Sequence, residues 1–393
     1  MRTQGKNTDS TAATAPVGIA GVGMTPFSSA DDRSLLGLLE AAAEKSVEDA
    51  GLDRSAVDTV IVGNMAAEAF NRRSGLANAL VASIGVTGAD ARRVENTSAS
   101  GASAFLTGVD AIRSGRASTV LVVGGEKMSS ADAATSTEII SRITHHAEYE
   151  HGITLPSFAG LAADRYLREH DVDRAELARV PVKSHENASK NPYAQFTNQI
   201  TVEDALDSPA ISTPLRLYDC CPTSDGAAAV VLTAGEQDVT VAGCEGASGV
   251  HAVADRPDPL RIESVRQAGR SVYEAADIGP EAIDVACIHD AFSILEWLEM
   301  EELGLADPGE AWTLTRDGRT DLDGALPVNP GGGLKARGHP LGATGISQVI
   351  ELVWQLRGEL PSDRAVPDPE YGLAINVAGF GNNSVCSILE ATV

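Results

Sequence analysis

The chain has 393 residues, 43% hydrophobic and 4% aromatic, with 55 Asp and Glu against 30 Lys and Arg for a formal net charge of −25. That length allows two or three domains around a large core, and 38 glycines beside abundant Ala and Val fit close helix–sheet packing rather than disorder, coiled coil or collagen. The charge excludes nucleic-acid and anionic-membrane partners, because phosphate binding needs clustered cations, and no uncharged apolar stretch reaches the roughly 18 residues of a membrane span.

The polar start, 1–15, has neither the apolar run of a signal peptide nor the basic amphipathic look of a transit peptide, so a disordered tail and a cytoplasmic location are expected. Val17–Met24 reads as a strand, Leu35–Ala50 as an amphipathic helix stopped by Gly51, and Val57–Gly63 as a second strand. Arg92–Asn96 is a short strand running into a small-residue helix over Ser98–Ser114, stopped by Gly115. Thr119–Gly124 is an apolar run of the kind buried on both faces of a sheet. From 129 to 215 the alternation lapses into polar, His- and Pro-containing sequence with helical patches at Phe158–Glu169 and Arg174–Ser189. It resumes with strands at Ala227–Leu232 and Val239–Cys244, a helix near Leu260–Ala276, a strand at Ile283–His289 and a helix over Phe292–Gly304.

A helix followed by a buried strand that ends in glycines occurs twice, as Ser98–Gly115 into Val120–Gly125 and as His339–Gly358 into Leu373–Gly381. The echo predicts two α/β halves, 16–237 with the 129–215 excursion inserted and 238–393, each a sheet between helix layers. Two similar halves bring both helix N-termini to a shared centre, which places Ser98 and His339 at one candidate site.

Cysteine and histidine usage narrows the chemistry. Cys220, Cys221, Cys244, Cys287 and Cys386 are odd in number and lack CxxC spacing, so neither a disulfide framework nor a zinc site is indicated. His145, His146 and His151 lack carboxylate and Cys partners at ligand spacing and read as loop residues. With six Lys against 24 Arg and acids dispersed along the whole chain, the composition predicts a surface kept soluble in high salt, hence a halophilic source.

Glu95-Asn-Thr-Ser-Ala-Ser-Gly-Ala102 is a turn from strand to small-residue helix. A nucleophile there has a helix dipole and free backbone N–H groups to favour developing negative charge; the alternative is an N-cap serine. Asn329–Gly345 packs glycines around one histidine, and because Lys335 is followed by Ala336 it is no phosphate loop. It reads as close backbone packing that positions His339.

These residues carry a resemblance. Gly338-His-Pro-Leu-Gly-Ala-Thr-Gly345 resembles the histidine loop of thiolases, Asn96-Thr-Ser-Ala-Ser-Gly101 their nucleophile turn, His289-Asp-Ala-Phe-Ser293 their third catalytic loop, and Ser224-Asp-Gly-Ala-Ala228 the end of their first half. The similarity runs from about Pro16 to Val393, and His151–Phe196 resembles the loop region of sterol-carrier-protein-type and archaeal thiolases. Ketoacyl synthases of the initiating type share the fold but usually present an Asn-rich loop after their histidine. The resemblance implies an α/β thiolase fold, two βαβαβαββ halves in a five-layered α-β-α-β-α sandwich, with the excursion covering a CoA site. It also implies reversible Claisen chemistry on acyl-CoA and CoA as substrates, with no cofactor or metal, a homo-oligomer (dimer or tetramer) and, as in archaeal-type relatives, a small oligonucleotide-fold partner subunit.

Carried over residue by residue, the pattern is not met everywhere. The family nucleophile is cysteine, and Ser98 stands in its place. An alcohol holds essentially no alkoxide at neutral pH, so Ser98 needs a positioned base, which the resemblance supplies as His339. Both usual positions of the second catalytic cysteine lack one, with Asn376-Val-Ala-Gly-Phe-Gly381 in the C-terminal turn and Ala291 after His289-Asp290. His289 is the candidate left, which gives a Ser98–His339–His289 set. The backbone N–H groups of Ser98 and Gly379 are expected to hold the acyl-enzyme oxygen, and His339, with a water held by His289, the enolate oxygen. Cys221 matches a serine near the pantetheine arm and Asn376 is a second expected substrate contact, whereas Cys287 and Cys386 read as core. A reading from another class is a catalytically silent acyl-CoA-binding or scaffolding subunit.

Overall fold

The computed structural model describes residues 15–392, so the tail expected over 1–15 lies outside the described residues apart from Ala15. Its strands are β1 (Val17–Met24), β2 (Thr59–Gly63), β3 (Asp90–Val94), β4 (Thr119–Lys127), β5 (Ala210–Ser212), β6 (Leu215–Arg216), β7 (Asp225–Ala234), β8 (Val239–Ser248), β9 (Val285–Cys287), β10 (Tyr371–Ala378) and β11 (Asn383–Ala391). β5 and β6 form a small hairpin, and the other nine are ordered β3-β2-β4-β7-β1-β8-β11-β10-β9. β2 runs parallel to β3 and β4 and β9 parallel to β10, whereas the β4–β7, β7–β1, β8–β11 and β11–β10 pairs are antiparallel. β1 meets β8 through the single pair Gly18 and Thr240. The nine strands are therefore two mixed sheets joined at one point.

Side-chain alternation along the strands decides the layers. Val120 and Val122 of β4 face a core shared with Ala374 of β10 and Val385 of β11, and the helices Ser100–Arg113 and Thr344–Leu356 fill it with Phe105, Val109, Ile346 and Val349. Leu121 and Val123 point the other way, onto Leu38 and Leu39 of the helix Leu35–Asp49 and Leu80 of the helix Leu76–Ser83. Leu373 and Ile375 face outward from the second sheet onto Val265 and Val272 of the helix Glu263–Ala276 and Ile294 of the helix Ser293–Glu302. The order is helix, sheet, paired helices, sheet, helix: the five-layered α-β-α-β-α sandwich that the resemblance implies.

The two central helices can lie between both sheets because their N-termini are stripped of side chains. A Cβ on Gly101 would stand 2.6 Å from the Gly342 carbonyl oxygen. Over the second half lies the excursion, with helices Ala133–Ser141, His146–Glu150, Leu155–Glu169, Arg174–Ser189 and Val202–Asp207. Its Phe158, Tyr166 and Leu177 share the outer core with Trp297. His146 opens a helix that His145 and His151 flank, so the loop expected there is a helical turn with its ends.

Several boundaries differ from expectation by a few residues, and three of them bear on the candidate site. The helices expected from Ser98 and His339 begin at Ser100 and Thr344. The strand expected over Ile283–His289 is only Val285–Cys287. There the Asn329 Oδ1 accepts the Ile288 N–H at 2.9 Å and Glu299 Oε2 accepts the His289 N–H at 3.0 Å, so side chains take the backbone groups that would have continued the ladder.

Candidate active site

Ser98 stands in the turn between β3 and the helix Ser100–Arg113, a turn knitted by polar side chains. Thr97 has φ 45°, a left-handed conformation that is strained for a β-branched residue. Glu95 Oε1 accepts the Thr97 N–H at 2.6 Å, and Ser100 Oγ accepts from Asn96 N at 2.9 Å while donating to Thr97 O at 2.6 Å. Asn96 Nδ2 donates to Ser103 Oγ and to Asn383 Oδ1, both at 2.8 Å, and the second of these ties the turn to the other half of the chain. Ser98 is buried and does not cap the helix; its Oγ donates to the Val377 carbonyl at 2.9 Å.

Val377 leads into the turn 379–382, where Gly379 has φ 61°. Asn382 N donates back to Ala378 O at 2.9 Å and closes that turn. Among the loop hydrogen bonds of the described residues neither the Ser98 nor the Gly379 amide has a carbonyl acceptor.

His339 follows Gly338, whose φ of 108° only glycine adopts freely, and its N–H donates to Ser224 Oγ at 2.9 Å. Its Nδ1 lies 2.7 Å from Thr344 Oγ1, and that hydroxyl donates to Pro340 O at 3.0 Å. The hydroxyl has one proton and spends it on Pro340, so it accepts from Nδ1–H. The network thus assigns the proton to Nδ1 and a free lone pair to Nε2. Burial holds the His339 imidazole well below its ordinary range, so it is neutral at neutral pH.

His289 faces His339 edge-on, with ring centroids 5.1 Å apart at 81°. Its Nδ1 lies 2.8 Å from Asn376 Nδ2, which places the His289 proton on Nε2, and burial pushes this imidazole down to about 3. The next residue anchors the loop. Asp290 pairs with Lys335 at 2.5 Å, both fully buried, and Asp290 Oδ1 accepts the Leu334 N–H at 2.7 Å. This buried pair fastens the His289 loop to the segment leading into the histidine loop.

Ser98, His289, His339 and Gly379 together line one cavity of about 190 Å³, whose apolar walls include Met128, Phe292 and Leu341. Cys221 also lines it, with its N–H on Ala291 O at 2.9 Å and its thiol pushed up by burial to about 12. Asn376 stands behind His289, not in the cavity wall, because its amide is engaged by the ring. Cys287 and Cys386 are core. Among the described residues no three His, Cys, Asp or Glu side chains gather as a metal site, and no helix is long and apolar enough to cross a membrane.

One orienting residue was not singled out from sequence. Thr344 lies in the histidine loop motif, five positions after His339, and a backbone-bonded hydroxyl at that spacing was the available signal.

Residues 17–236 match the thiolase N-terminal domain and residues 246–391 the thiolase C-terminal domain-like family. The acetyl-CoA acetyltransferase of Methanothermobacter thermautotrophicus is 40% identical over 382 residues, 95% of this chain and 99% of that protein. Human sterol carrier protein 2 is 32% identical over 397 residues, 95% of this chain and 71% of its own length. The solved structure titled "Ltp2-ChsH2(DUF35) aldolase" superposes with a TM-score of 0.82 at 25% identity, covering 96% of this chain and 98% of that one. With these matches over both halves, the chain belongs to the thiolase family. It is an acyltransferase, as the identity to acetyl-CoA acetyltransferases across nearly the whole chain shows.

Proposed function

We propose that the protein is a β-ketothiolase that joins an acyl-CoA and acetyl-CoA reversibly through an acyl-enzyme on Ser98. The observation that carries the reading is the free Nε2 of His339 in the same small cavity as Ser98, His289 and the Gly379 turn. In the first step Ser98 Oγ leaves Val377 O, gives its proton to His339 Nε2 and bonds to the thioester carbon. The carbon–sulfur bond breaks, and CoA departs as the thiol with the proton from His339. The Ser98 and Gly379 amides hold the oxyanion; one such donor is worth about 2.7–4 kcal/mol of barrier.

In the second step acetyl-CoA loses an α-proton to the regenerated His339, the enolate carbon bonds to the acyl carbon, and Ser98 Oγ leaves and recovers the proton. His289, with Nε2–H toward the cavity, donates to the enolate oxygen in place of the His339 and water expected from sequence, because His339 is taking the α-proton. Taking the place of the second catalytic cysteine as the base at the α-carbon would need a bare His289 Nε2, and therefore an Asn376 amide turned with Oδ1 toward the ring.

Acyl-enzyme trapping with acetyl-CoA in multimolar salt, followed by peptide mapping, tests the reading. Acetylation is expected on Ser98 and is lost in Ser98→Ala together with at least about 10³-fold in turnover. Wild-type turnover in Ser98→Ala would end it. The Ser98 hydroxyl turned to Val377 O, not to His339, favours a second reading, a silent acyl-CoA-binding or scaffolding subunit. Tight CoA-ester binding without any acyl-enzyme would establish that one.

The same proposal takes 16–237 and 238–393 as the two halves and a dimer or tetramer as the assembly. β3, with one neighbour among the described strands and with Asp90 and Arg92 exposed, is an open edge suited to a second copy. A small oligonucleotide-fold companion subunit fits a structure whose title pairs Ltp2 with ChsH2(DUF35), so assays should include one. Five free cysteines fit the reducing cytoplasm, and the charge of −25 fits a halophile.

A further inference from the structure

Beneath the histidine loop lies a carboxylate that the chemistry above does not use. Glu126, near the end of β4, is fully buried. Among the described residues its partners are four N–H donors and no cation. Oε1 accepts from Asn64 Nδ2 at 2.8 Å and Ala66 N at 3.2 Å, and Oε2 accepts from Met65 N at 3.0 Å and Gly342 N at 3.2 Å. Three donors belong to the turn after β2, in the first half of the chain. The fourth belongs to the histidine loop, in the second.

The contact surface leaves little freedom. A Cβ on Gly342 would stand 2.6 Å from both Gly125 O and Gly63 O, and one on Gly124 would stand 2.1 Å from Gly342 O. The loop therefore lies directly on the ends of β2 and β4. Ala343 N at 2.9 Å and Thr344 N at 3.1 Å both donate to Pro340 O, so residues 340–344 form one tight turn. A displacement at Gly342 moves His339 and the Thr344 hydroxyl that fixes its tautomer.

We propose that Glu126 is a positioning residue for His339: its ionised carboxylate is the shared acceptor that holds the histidine loop of the second half in register with Ser98 in the first. The inference rests on the acyl-transfer reading. Ionised, the group offers enough lone pairs for four charge-assisted N–H bonds. Protonated, it carries an O–H that meets only N–H groups, so one of the four bonds is lost.

Burial raises the Glu126 carboxyl to about 7, which puts that loss in the neutral range. The charged groups facing it are otherwise engaged. Outside the 64–66 turn Arg93 pairs with Glu68 at 2.6 Å and donates to Asn64 O and Met65 O, and next along the strand Lys127 pairs with Asp225 at 3.0 Å. In the loop, burial depresses both His339 and Arg337.

The test is the rate of acyl-enzyme formation from acetyl-CoA, followed by intact mass between about pH 5 and 9 for wild type and Glu126→Gln. Wild type is expected to slow by about 10- to 100-fold as pH falls through 7, and Glu126→Gln to run at the slow rate across the range while still folded by circular dichroism. A Glu126→Gln protein that keeps the wild-type rate and pH limb overturns the proposal. Hydrogen exchange of the 339–345 peptide in wild type decides the matter should Glu126→Gln not fold. Protection of Gly342, corrected for intrinsic rates, is expected to drop below pH 7, and pH-independent protection overturns it. Absence of any acyl-enzyme in wild type would sink the acyl-transfer reading while leaving the exchange result to judge Glu126.

Discussion

Around Ser98, itself buried, the backbone is held by side chains that reach the surface: Glu95 is exposed, Asn96 and Thr97 half-buried, and polar bonds carry the geometry. Around His339 every residue from Pro327 to Val353 is buried, and the loop is held by carbonyls and glycines pressed against each other. A hydrogen-bonded turn can shift by tenths of an ångström as its bonds re-aim. A close-packed glycine contact cannot, because there is no space for an added atom. The proposed nucleophile, Ser98, falls in the adjustable region, and the proposed base, His339, in the packed one.

Gly342→Ala attacks the packed side and should have the largest effect. Its Cβ meets two carbonyl oxygens at 2.6 Å, so the cost in unfolding free energy is expected to be about 3 kcal/mol, read by chemical denaturation. Thr344→Val keeps the shape but removes the acceptor for His339 Nδ1–H. We expect kcat to fall by about 10- to 100-fold with little change in stability, and the same loss at every pH from 6 to 9, since His339 is neutral throughout. On the hydrogen-bonded side, Asn383→Ala should cost about 1 kcal/mol and Asn96→Ala a similar amount. A double-mutant cycle in acylation rate should show the pair coupled through the 2.8 Å bond that joins the two halves. If Gly342→Ala were tolerated better than Asn383→Ala, the contrast between the regions would be wrong.

The layered fold was legible because its signals are local. Thr119–Gly124 spells a doubly buried strand, and repeated helix-then-strand segments announce two sheets. The ends of elements at the centre were not legible, because distant side chains set them. Asn329 and Glu299 end β9 early, and the left-handed Thr97 delays the helix after Ser98. Ser98, His339, His289 and Gly379 were named from motif and do share one cavity, whereas Asn376 bonds the His289 ring and does not line that cavity. Glu126 was invisible because its partners lie 60 to 216 residues away in sequence.

The thiols carry one more consequence. Burial pushes all five upward, Cys221 and Cys244 to about 12, so almost no thiolate exists at neutral pH. Peroxides and alkylating agents attack thiolates, and a cysteine-dependent acyltransferase loses its nucleophile to them. On the proposed Ser98 chemistry nothing of that kind is lost, so activity is expected to survive a peroxide treatment that inactivates a cysteine-dependent acyltransferase.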